Sequence, residues 1–231
     1  MLTLLDLKKE LKNKTDPKRA KITQRFFKTG PGEYGEGDVF LGIIAPDIKK
    51  VVKKYNNLKI EEVIKLLHSK IHEERVTALR IIVKKFPIEE NKEKIYNLYL
   101  KNTKYINNWD LVDLSADRIV GDYLLNKPKL ILYKLARSKS IWERRISIIA
   151  TFNFIKNNEF EETLKIAKIL LNDKHDLIHK AVGWMLREIG KRDLETEERF
   201  LKKYYKKMPR TMLRYAIEKF PEKKRKQYLS T

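Results

Sequence analysis

The chain contains no cysteine among its 231 residues. That absence excludes disulfides, zinc–thiolate sites, iron–sulfur clusters and cysteine nucleophiles together, and it suits a reducing compartment, so a cytoplasmic protein is expected. Histidine is nearly as scarce, with four residues, His68, His72, His175 and His179. His175 and His179 lie one helical turn apart and could supply two metal ligands. With no His-Glu-x-x-His string, no third ligand and no thiolate, surface or capping roles are expected, and neither a metal nor a nucleophilic triad is supported. Long apolar runs are missing as well. The longest, Val39 to Ala45, falls far short of the ~20 residues that span a bilayer, and the N-terminus lacks a secretory pattern, so no membrane association is expected.

Negative charge is the other shortage. Fifty-two Lys and Arg face 31 Asp and Glu, for a formal charge of +21. Hydrophobic residues make up 42% of the chain, enough to build a core and to exclude wholesale disorder. So large a positive charge implies a routine anionic neighbour: nucleic acid, anionic lipid or an acidic protein. A membrane-surface protein would concentrate its lysines on one amphipathic helix or tail, whereas here cations recur from Lys8 to Lys226. Nucleic acid is the preferred partner.

Apolar residues recur at spacings of three and four, without sustained two-residue alternation, so the chain reads as all-α. Pro17 and Pro46 suit first helical turns, and Pro87, Pro128, Pro209 and Pro221 mark boundaries. Helices are expected near 2–13, 17–28, 46–55, 59–69, 71–86, 89–101, 109–125, 129–138, 141–156, 159–171, 174–191, 194–207 and 209–219. A single domain over 1–231 is expected, with N-terminal helices and a glycine-rich loop to about 58, regular repeats over about 59–220, and a basic tail over 221–231.

The repeats rest on one alignment. Ile71-His-Glu-Glu-Arg75 matches Ile141-Trp-Glu-Arg-Arg145, and the series Arg75, Asp110, Arg145, Lys180, Arg214 runs at intervals of 35, 35, 35 and 34 residues. Each interval holds two helices, as in solenoid repeats somewhat shorter than HEAT or armadillo units. Equivalent helices would share a concave face with one cation per repeat, except at Asp110, and such a face tracks a polyanion's backbone. The other reading is that these residues begin solvated helix faces.

Five of the eight glycines fall between Gly30 and Gly42, and Gly30-Pro-Gly32-Glu-Tyr-Gly35 formally matches a dinucleotide-binding string. No βαβ unit surrounds it, and Glu33, Glu36 and Asp38 would repel phosphate, so an ordered inter-helix loop is expected instead.

The strongest chemical signal is Asn107-Asn-Trp109-Asp-Leu-Val-Asp113. Asn108 is a good N-cap, and Trp109, Val112, Asp113, Ala116 and Val120 form one helical stripe. An indole beside a carboxylate attracts a cation; alternatively, Trp109 is a core residue and Asp113 bonds a neighbouring helix end. Trp184 lies beside its helix's core stripe, in line with Lys180 and Arg187. It is placed either to stack on a base or sugar or to pack between helices.

Four strings, Arg25 to Gly42, Asn107 to Asp113, Trp142-Glu-Arg-Arg145 and Lys180 to Glu188, together resemble the DNA alkylation repair glycosylases of the AlkD type. The resemblance implies a right-handed α-solenoid of HEAT-like repeats that cradles duplex DNA on its concave face. It implies a monomeric, monofunctional enzyme, nucleoid-associated in the cytoplasm, that removes cationic 3-methyladenine and 7-methylguanine without a cofactor. Carried over by motif, Trp109, Asp113 and Trp184 match the catalytic cluster, with Arg145, or the adjacent Arg144, facing DNA. Lys180 and Arg187 are expected to contact the DNA as well, and Phe27 is the candidate for a further N-terminal aromatic. The alternative is a non-catalytic repeat module that binds nucleic acid or an acidic protein, but it gives no reason for Asp113 to share a face with Trp109.

Overall fold

The computed structural model describes residues 2–230; Met1 and Thr231, the extremes of the expected N-terminal segment and basic tail, lie outside them. Among the described residues the secondary structure is helical, the one exception being an isolated parallel bridge between Val39 and Ile71. The all-α expectation holds. The chain divides into two compact units, the first ending at Ser115 and the second beginning at Ala116.

The first unit holds α1 (Leu4–Lys12), α2 (Pro17–Phe26), α3 (Ala45–Lys54), α4 (Ile60–Leu67), α5 (His72–Lys85), α6 (Lys92–Lys101) and all but the last residue of α7 (Trp109–Ala116). Local chemistry sets the helix starts. Thr3 and Asp6 form a reciprocal capping box at α1, and Asp16 accepts from the Arg19 amide at 3.0 Å with Pro17 at the first position of α2. α5 is the centre of this unit, packed against α1, α3 and α4 and buried almost continuously from His72 to Ile82.

The glycine-rich segment between α2 and α3 is an ordered strap, as expected. Gly32, Gly37 and Gly42 adopt φ of 76°, 83° and 77°. Glu33 and Glu36 fold back onto the amides of Gly30 and Gly32 at 2.8 and 2.9 Å, so the strap's own carboxylates occupy the amides that a phosphate would need. At Gly42 a Cβ would lie 2.4 Å from the Asp16 carbonyl oxygen and 2.5 Å from the Ala20 nitrogen, so only glycine lets the strap pass this close to α2.

The second unit begins with a π-helical turn over 117–121. It continues through α8 (Asp122–Leu124), α9 (Leu130–Ala136), α10 (Ile141–Ala150), α11 (Phe152–Lys156), α12 (Glu161–Ile169), α13 (Asp176–Gly190), α14 (Leu194–Tyr204), α15 (Arg210–Ala216) and α16 (Glu222–Leu229). The 15-residue α13 is its centre, packed against α10, α11, α12, α14 and α15. Gly183 makes the α15 contact possible, because a Cβ there would sit 2.4 Å from the Met212 carbonyl oxygen.

The thirteen expected helices are present within a few residues, with two interruptions. The segment 141–156 breaks at Thr151, whose hydroxyl donates to the Ile148 carbonyl at 2.7 Å. The segment 109–125 widens into the π turn. Residues expected as a basic tail form α16, anchored by Tyr228 against Tyr205 and Phe220 and by a Lys224–Glu198 ion pair. With one aromatic anchor in an otherwise charged stretch, the apolar pattern is too thin to announce this helix.

Candidate active site

The site in the first unit is assembled where the glycine-rich strap crosses the start of α5 and meets the first turn of α7. Backbone bonds pin the strap: the Val39 amide donates to the Lys70 carbonyl at 3.2 Å, and the His72 amide donates to the Val39 carbonyl at 2.8 Å. The Glu73 carboxylate then accepts from the amides of Leu41, Gly42 and Ile43 at 2.9, 2.7 and 3.3 Å. Three otherwise orphaned donors are thereby satisfied by one buried acid.

Asp38 carries the strap's second anchor. Its side chain is buried, paired with Arg75 at 2.7 Å, and it accepts from Asn107 and Asn108 at 3.3 Å each. Burial alone would raise the Asp38 pKa, but His72, Arg75 and Asn108 outweigh it and hold the carboxyl below its ordinary value. His72 is buried between two carboxylates, with Nε2 2.8 Å from Asp110 Oδ2 and Nδ1 3.5 Å from Asp38 Oδ2. Burial pulls its pKa down, and Asp110 and Asp38 more than reverse this, pushing it up to about 9. At neutral pH the group is therefore an imidazolium, and Asp38, Arg75, His72 and Asp110 form a four-charge network of zero net charge.

An aromatic cluster lies on this network. His72 stacks on Phe40 with ring centroids 4.5 Å apart, Phe40 stacks on Phe27 at 5.0 Å, and Phe27 stacks on Trp109 at 5.2 Å with 15° between planes. Phe26 meets Trp109 edge-on at 5.9 Å and is 64% exposed. The structure thus brings the expected residues Phe27 and Trp109 into direct contact. Asp113 is half-buried one turn after Trp109 on α7, which places the carboxylate and the indole on one helix face.

The remaining expected site residues lie in the second unit. Trp184 is half-buried, with its indole nitrogen donating to Glu188 at 3.2 Å and its ring 5.8 Å from Phe152. Burial works to raise the Glu188 pKa, but Lys191, Trp184 and Arg192 hold it below the ordinary value. Lys180 pairs with Asp176 at 2.7 Å, and Arg187 pairs with Glu218. Arg144 is bound to Asp173 at 2.6 Å and donates to the carbonyls of Ser138 and Lys139. Arg145 is only 5% exposed and donates to the Leu177 carbonyl at the start of α13.

Two expectations about polar residues change. Arg75 and Arg145 keep their 35-residue phase but do not stand on a solvated face: both are buried, and each guanidinium donates to a backbone carbonyl, that of Ser69 for Arg75. His72 is not a surface or capping histidine, although His175 does cap α13 by accepting from the Leu177 amide. The sequence reading missed His72, Asp38, Phe40 and Phe26. The adjacent Phe26-Phe27 pair was the available signal for Phe26; nothing local marks the other three. Among the described residues no group of three or more His, Asp or Glu is placed to hold a metal ion, and no helix is long and apolar enough to cross a membrane.

Comparison with known proteins places this geometry. No curated protein matches the sequence. A solved structure, the "Predicted DNA alkylation repair enzyme from Enterococcus faecalis", shares the fold with a TM-score of 0.71 at 17% identity, over 90% of this chain and 98% of that one. Residues 7–220 match the family model described as DNA alkylation repair enzyme, and with nearly its whole length so matched the chain belongs to that family.

Proposed function

We propose that the protein is a monofunctional DNA glycosylase that hydrolyses the N-glycosidic bond of positively charged alkylated purines, 3-methyladenine and 7-methylguanine, in duplex DNA. The observation that carries this reading is the Trp109–Asp113 face of α7, with the indole stacked on Phe27 and the carboxylate half-buried one turn on. Family membership supports it. The helix pairs are read as HEAT-like repeats along which the duplex lies, and the enzyme works as a monomer without a cofactor.

The chemistry follows from charge. An N3- or N7-alkylated purine is already cationic, so when the bond from C1′ to the base nitrogen breaks, the electron pair neutralises the leaving base and no general acid is needed. Positive charge passes to the sugar as an oxocarbenium ion. Asp113 stabilises that ion, orients the water that adds to C1′, and accepts its proton. The products are a neutral alkylpurine and an abasic sugar. Opposite unit charges ~4 Å apart interact by about 4 kcal/mol at an effective dielectric of ~20, against ~1 kcal/mol in bulk water. The upper figure is worth roughly a thousandfold in rate. Trp109 adds cation–π attraction for the damaged nucleotide, Trp184 offers an aromatic face for a cation within its own unit, and an uncharged normal purine gains little from such contacts.

Among the cations assigned to DNA, Lys180 is the most accessible. Arg144 and Arg187 exchange a carboxylate partner for phosphate, and Arg145 supports them by holding the first turn of α13. The test is incubation with methylated duplex DNA and measurement of free alkylbase. Release by the wild type and loss of about three orders of magnitude in Asp113→Asn, with duplex affinity retained, is the expected result. Full activity in that variant would refute the mechanism.

A further inference from the structure

The sequence around His72 reads as four polar residues in a row, His72-Glu-Glu-Arg75, yet all four are buried. Three of them have the jobs already described or simple ones: Glu73 caps the strap, Glu74 pairs with Lys8 of α1 at 3.0 Å, and Arg75 holds Asp38. His72 alone bridges two elements and also belongs to the aromatic stack.

We propose that His72 is a positioning residue for the site: by bonding Asp110 in the first turn of α7 and Asp38 in the strap while stacking on Phe40, it fixes the helix that carries Trp109 and Asp113. The geometry makes the case. Asp110 immediately follows Trp109 in the chain, so a 2.8 Å bond from the His72 ring to Asp110 constrains the backbone from which the indole projects. The same imidazole is packed within 5.0 Å of Phe27, the ring on which Trp109 stacks. Trp109 is thus held from two sides, through its backbone by Asp110 and through its ring by Phe27, and both supports end on His72.

The groups that face the imidazole are Asp110 from α7, Asp38 from the strap and Arg75 from its own helix; Phe27, at the end of α2, contributes an uncharged ring. A doubly protonated ring can donate to both carboxylates, whereas a neutral ring can donate to only one. Loss of the proton therefore removes one of the two His72 contacts, to Asp110 or to Asp38, while Glu73 and Arg75 still hold the strap, and this makes the surroundings of Trp109 pH-dependent on the alkaline side. Desolvation favours the neutral ring and the two acids favour the cation; the acids win, so the clamp is closed at neutral pH.

The kinetic arm of the test rests on the glycosylase reading, but the structural arm does not. In the structural arm, the indole N–H signals of the full-length protein are followed by NMR from pH 7 to 10, with Trp109 assigned by Trp109→Phe. The Trp109 signal should move with a midpoint near 9 in the wild type and stay fixed in His72→Gln, while Trp142 and Trp184 are unchanged in both. In the kinetic arm, His72→Gln should slow single-turnover release of 7-methylguanine at least tenfold with duplex affinity kept within about twofold. His72→Phe, which keeps the stack but neither ion-pair contact, should slow it further. A Trp109 signal indifferent to pH in the wild type, or a His72→Gln release rate within twofold of wild type, overturns the proposal. Absence of base release by the wild type overturns the glycosylase reading instead and leaves the indole titration to decide the role of His72.

Discussion

Substituting Asp38 by Asn removes one charge from the network and leaves its shape intact. Asp38 and Arg75 are each about 4% exposed and 2.7 Å apart, so the guanidinium left behind cannot recover its hydration without opening the unit. Removing one partner of a buried pair costs about 3–5 kcal/mol, because the remaining charge is uncompensated. Arg75 keeps its bond to the Ser69 carbonyl, and the oxygen of the introduced amide can still accept one hydrogen bond, which places the expected loss near the lower end, about 3 kcal/mol. With a urea dependence of about 2 kcal/mol per molar, that loss lowers the unfolding midpoint by roughly 1.5 M. Circular dichroism in urea measures it. Arg75→Gln should cost a similar amount, and the double variant should cost less than the sum by about 1–3 kcal/mol, since it no longer contains an orphaned charge. A midpoint shift below about 0.3 M for Asp38→Asn, or additive losses in the double variant, would refute the view that the network is held together by mutual charge compensation.

Two further perturbations test the same structure. The first is pH. The folded-state pKa of His72 is raised from 6.5 to about 9, so its contribution of about 3 kcal/mol is fully present below pH 6.5 and is lost as the pH climbs through 9. Glu197, buried with one carboxylate oxygen lacking a partner, is pushed up to about 8 by burial and by Glu198, so the native state holds a proton that the unfolded chain gives up near 4.5. That effect also lowers stability with rising pH, from 4.5 to about 8. Urea midpoints should therefore decline from pH 5 to 9; Glu197→Gln should flatten the lower limb and His72→Gln the upper, and a midpoint constant over that range would contradict both assignments. The second is backbone fit. Gly42→Ala forces a methyl group against two backbone atoms at a positive φ, whereas Gly37→Ala meets only the φ penalty of about 1–2 kcal/mol, having nothing within 4 Å. Gly42→Ala should lower stability by at least about 1 kcal/mol more than Gly37→Ala in urea unfolding, and equal losses would mean that the strap is not pressed against α2.

The helices were legible because each buries a stripe at three- and four-residue spacing, and Pro17 and Pro46 mark two of their starts with local chemistry. The Trp109–Asp113 face was legible for the same reason: both residues lie on one helix, and four positions apart means one turn. The network beneath it was not. His72, Glu73, Glu74 and Arg75 look like a solvated run because what makes their burial tolerable comes from far along the chain: Asp38 and Asp110, the amides of Leu41 and Gly42, and Lys8. Periodicity reports which residues leave water; it carries no information about which distant partner satisfies a polar group that leaves with them.

That distinction changes the meaning of the 35-residue cation series. Arg75 and Arg145 recur at one phase, near the starts of α5 and α10, and in both cases the guanidinium is internal and donates to a backbone carbonyl. Asp110, the negative exception, is internal in function too, because its carboxylate is bound to His72. A buried, hydrogen-bonded arginine releases no counterions from a duplex, so these positions cannot supply the salt dependence expected of a chain carrying +21. Exposed cations must supply it. Lys18, Lys21, Arg25 and Lys28 are exposed along and just beyond α2, whose last residue, Phe26, meets Trp109 edge-on. At Arg75, Asp110 and Arg145 the repeat thus records internal contacts, whereas the exposed cations of α2 lie beside the aromatic cluster and outside the repeat phase.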